Sequence, residues 1–136
     1  PDYRQVRLDD TIHQMIRRLS TQRDVLNTIK ETCTYEKPPE LLQIQMGPLG
    51  SGAAVLSDEV VIDSVKNHSR KFLGFDMEAY AVMLSGALSS TPKTIPVVIK
   101  AVSDFGTNKN NQYQKYAAYT SAKVLELVLK ELFGGT

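Results

Sequence analysis

"TIPVVIKAVSDF", residues 94–105, is the stretch whose reading decides the fold. Its β-branched run, "IPVVIKAV", predicts the strongest strand of the chain, over 95–102, covered on both faces. Downstream, "GTNKNNQYQ" is a polar loop. A long amphipathic helix then starts near Asn111, runs through "YAAYTSAKVLELVLKEL" and ends at Gly134 as a C-cap glycine. Upstream, "KFLGF" (71–75) predicts a short strand and "MEAYAVMLSGALSS" (77–90) a helix. In that helix Met77, Tyr80, Ala81, Leu84 and Leu88 share one face. Ala79, Val82 and Met83 make the other nearly as apolar, which predicts burial all round.

Further back, "LLQIQMG" alternates and predicts a strand over 42–46, ending in the Gly-rich "GPLGSG". Ser57, with Asp58 and Glu59 after it, suits the N-cap and first turn of a helix reaching about His68. Near the N-terminus, Asp9 and Asp10 precede Ile12, Met15, Ile16 and Leu19, an i, i+3, i+4, i+7 series with an acidic start. That helix is expected to continue through Val25, Leu26 and Ile29 until "KPPE" (37–40) stops it. Strands alternating with helices predict an α/β layered domain. No repeat or low-complexity tract interrupts the series.

The bulk properties narrow the function classes. A chain of 136 residues has the size of one domain with a real core. Its net charge of +1 makes no electrostatic case for nucleic acid or a membrane surface. The single cysteine, Cys33, forms no internal disulfide, so a reducing, cytoplasmic compartment is expected. No apolar run approaches the ~18 residues of a membrane span, and the polar "PDYRQVRLDD" is no signal peptide. A start at Pro1 without an initiator methionine hints at a piece of something longer.

Ligands in open α/β sheets collect at the carboxyl ends of strands. Two of the three predicted strand ends deliver acids, Asp76 with Glu78 and then Asp104. Taken singly, Asp76 reads most simply as a helix N-cap. Glu78 could merely favour the helix dipole, and Asp104 could open a turn. "GPLGSG" misses G-x-G-x-x-G. Its G-x4-G frame is followed by Ala53-Ala54, where a P-loop needs Lys and Ser/Thr. His13 and His68 lack metal-ligand spacing, and Cys33 reads as a small buried or half-buried residue.

Taken together the segments resemble a known family. A strand followed by "F-D-M-E-A" opening a helix, then an apolar strand ending "V-S-D-F", is similar to the nucleoside phosphorylase and nucleosidase superfamily. That superfamily includes purine nucleoside phosphorylases and methylthioadenosine/S-adenosylhomocysteine nucleosidases. Its motifs are usually V-E-M-E-[AG] and [IV]-S-D. The segment "GPLGSGAAVL" resembles its S-G-D-x-F-[IL] base-pocket motif. The similarity covers roughly 40–136 and extends to "YQKYAAYTSA", a stretch like that of members fused to regulatory or defence modules.

The resemblance implies a three-layer α/β/α phosphorylase/hydrolase-like fold around a mixed sheet, with residues 1–136 as the C-terminal portion of the domain. It implies that Glu78 accepts hydrogen bonds from ribose hydroxyls while Met77 packs on the sugar. A carboxylate there stabilises the oxocarbenium-like sugar as an N-glycosidic bond breaks. It implies that Asp104 serves purine N7 as a protonated acid, with Ser103 orienting it. Glu78 and Asp104 are accordingly expected to face one cleft. Val55 and Leu56 fall in the base-binding segment, but Ala53 and Val55 stand where the family has Asp and Phe, which removes the stacking aromatic. The family's phosphate site and its water-activating acid lie in an N-terminal half with no counterpart here. The implied ligand is a nucleoside or nucleotide, with phosphate as co-substrate in a phosphorylase and no other cofactor. The implied assembly is a homo-oligomer, and the rival reading is an inactive nucleoside-sensing or oligomerisation module.

Overall fold

The computed structural model of the chain describes residues 8–47, 49–51, 74–76, 78–90, 94–102 and 111–134. Within these, four helices dominate: α1 (Asp10–Leu19), α2 (Arg23–Thr32), α3 (Ala79–Ala87) and α4 (Gln114–Phe133). One parallel pair of three-residue strands, β1 (Leu49–Ser51) and β2 (Gly74–Asp76), is the only β structure among the described residues. The described part is therefore a helical fold, which overturns the expected three-layer α/β/α arrangement. No helix among the described residues is long and apolar enough to cross a membrane. The chain divides into two compact units, one formed by Pro1–His13 and Gly47–Val98, the other by Gln14–Met46 and Ile99–Thr136.

Helix α1 begins as its sequence demands. The Asp9 carboxylate accepts from the backbone N–H of Thr11 at 3.0 Å and of Ile12 at 3.1 Å, satisfying two of the donors a helix start leaves open. Ile12, Met15, Ile16 and Leu19 are all buried, as the periodicity requires. The helix does not continue into Val25, because Ser20 and Thr21 end it. Their hydroxyls donate to the carbonyls of Arg17 (2.6 Å) and Arg18 (2.7 Å). The N–H groups of Thr21 and Gln22 each close a shorter, three-residue turn at 3.1 Å. A second helix, α2, restarts at Arg23 and ends at Thr32, five residues short of "KPPE".

The second unit centres on Leu26 and Ile29 of α2 and Val124 of α4, with Leu42, Ile44, Ile99, Tyr119 and Leu127 packed around them. The alternation in "LLQIQM" is real, since Leu42, Ile44 and Met46 are half-buried while Leu41, Gln43 and Gln45 are exposed. The segment is nonetheless extended chain and no strand. Alternation reports one covered face, and here α2 and α4 provide the cover. Two of its carbonyls are met by side chains: Arg23 donates to Leu42 O, and Lys30 Nζ to Glu40 O at 2.6 Å. Helix α4 follows its expected course, with Tyr116, Ala117, Thr120, Val124 and Val128 buried. Gly134 does cap it, donating its N–H to Lys130 O at 2.6 Å, where a β-carbon would collide with that carbonyl.

In the first unit, β1 and β2 pair in the register Leu49↔Gly74, Gly50↔Phe75 and Ser51↔Asp76. The strand expected at 42–46 is thus displaced into the Gly-rich segment that follows it, and the one expected at 71–75 is met at Gly74–Asp76. Residues 95–102, expected as the strongest strand, are extended chain without strand pairing among the described residues. Ile95 and Val102 are exposed, so the segment is not covered on both faces. Pro96 gives the physical reason, since proline lacks the N–H a central strand donates. Helix α3 is not buried all round either, because Val82 and Leu88 are exposed. The helix expected over 57–68 lies outside the described residues.

Leu26 is fully buried at the centre of this packing. Leu26→Ala should lower unfolding free energy by about 2–5 kcal/mol in urea titrations. Leu41→Ala, at an exposed position, should stay within about 0.5 kcal/mol of the parent.

Candidate functional site

Of the residues the motifs single out, Glu78 is described; Met77, Ser103, Asp104, Val55 and Leu56 lie outside the described residues. Asp76 closes β2 and Glu78 takes the N-cap position of α3, with φ −119° and ψ −15°. The N-cap role expected of Asp76 therefore belongs two residues later. Glu78 is exposed and makes no side-chain cap hydrogen bond to its own helix, while its carbonyl accepts from Val82 N at 3.3 Å. A negative charge here is favoured by the helix dipole by roughly 0.3–1 kcal/mol.

The backbone around Glu78 has a second feature. Because β1 and β2 run parallel with Ser51 opposite Asp76, the two strands end side by side. The sequence holding Val55 and Leu56 follows one end, and Met77 and Glu78 follow the other.

Beyond Glu78, helix α3 meets the 94–98 segment at a point that sequence reading passed over. A methyl group on Gly86 would overlap the Pro96 ring, meeting Cγ, with Cδ at 2.6 Å and Cβ at 2.7 Å. Ser89 Oγ donates to Gly86 O at 2.7 Å and accepts from Thr94 N at 3.0 Å. An open groove of about 600 Å³ runs over this contact, lined by Ala81, Val82, Ser85, Thr94 and Val97. The available signal was a glycine inside a helix, which costs ~1 kcal/mol against alanine and calls for a packing reason.

The second unit holds buried polar chemistry of another kind. Cys33 is buried, in line with its reading as a small interior residue, and Tyr116 on α4 is buried too. Burial pushes the Tyr116 hydroxyl above its ordinary value, and the Cys33 thiol adds to the shift. On the surface of α4, hydrogen bonds from Lys130 and Lys123 hold the Glu126 carboxyl below the usual range. Among the described residues no group of three or more His, Cys, Asp or Glu side chains is placed to hold a metal ion. His13 is half-buried on α1, and His68 lies outside the described residues.

Comparison with known proteins adds one relative. An uncharacterized protein of Sinorhizobium fredii is 32% identical over 107 residues, which are 78% of this chain and 26% of that protein. The chain thus spans about a quarter of the length of the curated relative it matches. No family model matches, and no solved structure matches.

The shift at Tyr116 has a definite sign. With its folded value raised above the ordinary value of 10.0, Tyr116 contributes stability that is fully present below that pH. The contribution is lost as pH rises through the folded value, because the unfolded chain ionises first. Urea midpoints measured from pH 8 upward should fall beyond about 10, and Tyr116→Phe should flatten that fall.

Proposed function

We propose that this chain supplies the base- and ribose-binding part of a site that cleaves the N-glycosidic bond of a nucleoside or nucleotide, by phosphorolysis or hydrolysis. The observation that carries the reading is the backbone around Glu78. A parallel strand ends, an exposed acid opens the next helix, and the neighbouring strand ends in register beside it. The roles of the other residues rest on the motif resemblance. Met77 packs on the sugar and Val55 and Leu56 meet the base, while Asp104, oriented by Ser103, serves the leaving purine. Breaking the bond leaves positive charge on the sugar, and a carboxylate on the hydroxyls is the group that favours it. The same reading places the protein in the cytoplasm as a homo-oligomer. It draws the groups that activate phosphate or water from residues outside this chain.

A second reading has its own support. Ala53 and Val55 replace the family's Asp and Phe, and Leu125, Leu129, Leu132 and Phe133 leave apolar surface exposed along α4. Both features suit a module that senses a nucleoside or assembles with others without turnover.

Titration of the 136-residue chain with purine and pyrimidine nucleosides, followed by amide chemical shifts, separates these readings from a bland scaffold. Saturable shifts with purine nucleosides centred on Glu78 are expected, lost in Glu78→Ala. A flat response to every nucleoside would remove both. The chain alone should show no turnover, with or without phosphate, because nucleophile activation supplies much of any rate enhancement. Product formation abolished by Glu78→Ala would contradict that expectation. In a longer protein carrying those groups, Glu78→Gln should lower kcat by ~10²–10³-fold with KM little changed. The amide still holds the hydroxyls but no longer answers the charge. A change confined to KM would make Glu78 a binding contact only.

A further inference from the structure

We propose that Gly86, Ser89 and Pro96 are positioning residues: together they latch α3, and through it Glu78, to the 94–98 segment. The inference rests on Glu78 being the ribose-binding carboxylate, but its geometry stands independently. Helix α3 is nine residues long, opens at Glu78 and carries Gly86 in its last turn. Gly86 is buried beneath the Pro96 ring, and the overlap a β-carbon would make there leaves only glycine able to accept the ring. The contact is apolar and rigid on both sides, since proline has a fixed φ and glycine here has no side chain to move.

Ser89 adds direction to the contact. Its hydroxyl donates to Gly86 O at 2.7 Å and receives the N–H of Thr94 at 3.0 Å. One side chain thus joins the end of the helix to the start of the extended segment, two residues before the ring that packs on Gly86. A helix this short has little stability of its own, so a tie at its last turn fixes where its first turn lies. That first turn is the one whose Val82 N–H bonds to Glu78 O at 3.3 Å.

The test uses the full chain in two arms. Amide hydrogen exchange reads the latch directly. Gly86→Val and Ser89→Ala should speed exchange at Thr94 and Val82 on the order of tenfold, while the Leu26 and Val124 amides keep their protection. Unchanged exchange at both Thr94 and Val82 in both variants would overturn the proposal, whatever the nucleoside result. The second arm reads function through adenosine titration. Gly86→Ala should weaken binding several-fold, and Gly86→Ala/Pro96→Ala, which makes room for the added methyl, should restore it. Failure of Gly86→Ala/Pro96→Ala to restore the adenosine binding that Gly86→Ala had weakened would refute the positioning role. A parent chain that ignores adenosine would count against the glycosidic-bond reading, leaving the exchange arm to decide the latch by itself.

Discussion

The contact of Leu26 and Ile29 on α2 with Val124 on α4 is the constraint on which the second unit depends. Burying a leucine side chain contributes about 1.5–3 kcal/mol, whereas a typical intramolecular hydrogen bond nets about 0.5–1.5 kcal/mol. Apolar burial therefore decides that α2, α4 and the extended residues around Leu42 and Ile44 come together. The polar ties decide how. Arg23 reaches both Asn27 and the Leu42 carbonyl, and Lys30 reaches the Glu40 carbonyl. These fix an extended segment whose carbonyls would otherwise need water or a neighbouring strand. At the other end of α2, Thr32 Oγ1 lies 3.0 Å from the Tyr119 hydroxyl of α4, and Gln112 donates to Glu36 at 2.8 Å. Lys115 lies 5.6 Å from the Tyr35 ring centre, a further tie at the start of α4.

Helical periodicity was legible because it names a geometry. The series Ile12, Met15, Ile16, Leu19 and the buried face of α4 both lie where spacing puts them. Period-two alternation was less informative, because it reports that one face is covered and says nothing about what covers it. At 41–46 the cover is helical, and no ladder forms among the described residues. At 95–102 the β-branched run outweighed Pro96 in the reading, although a proline inside a central strand removes a ladder donor. The stop at Ser20–Thr21 was missed for a related reason. Hydroxyls that bond back to the preceding turn compete with the helix locally, and hydrophobic spacing is blind to them.

The candidate site was legible to a smaller extent. Motif order located Glu78 at a strand-to-helix junction, and the backbone has that junction. It assigned the cap to Asp76, because an acid just before an apolar run is the usual signal, whereas the helix starts at Ala79. The Gly86–Pro96 contact was not legible from motifs, being a pairing of two residues in different segments. Each is a local anomaly, a glycine in a helix and a proline in an apparent strand. Their pairing shows that the two anomalies have one cause.

Under the proposed function, Glu78 would also limit what this chain does by itself. Two unit charges 4 Å apart interact by about 1 kcal/mol in water and by about 4 kcal/mol where the effective dielectric is near 20. A rate effect of ~10²–10³-fold requires about 2.7–4 kcal/mol. An exposed carboxylate at the start of α3 acts largely through solvent, nearer the value of about 1 kcal/mol, so under the proposed function it would orient a ribose and fall short of driving bond cleavage. The helix dipole does not close the gap. It favours the negative charge in the ground state and the transition state alike, and uniform stabilisation does not raise kcat. Under the proposed function, turnover would need Glu78 to be covered when the sugar is bound, so that its charge acts through protein and not through solvent. The proposed latch at the far end of α3 would matter for the same reason: a carboxylate enclosed by other groups helps only if its helix cannot drift away from them.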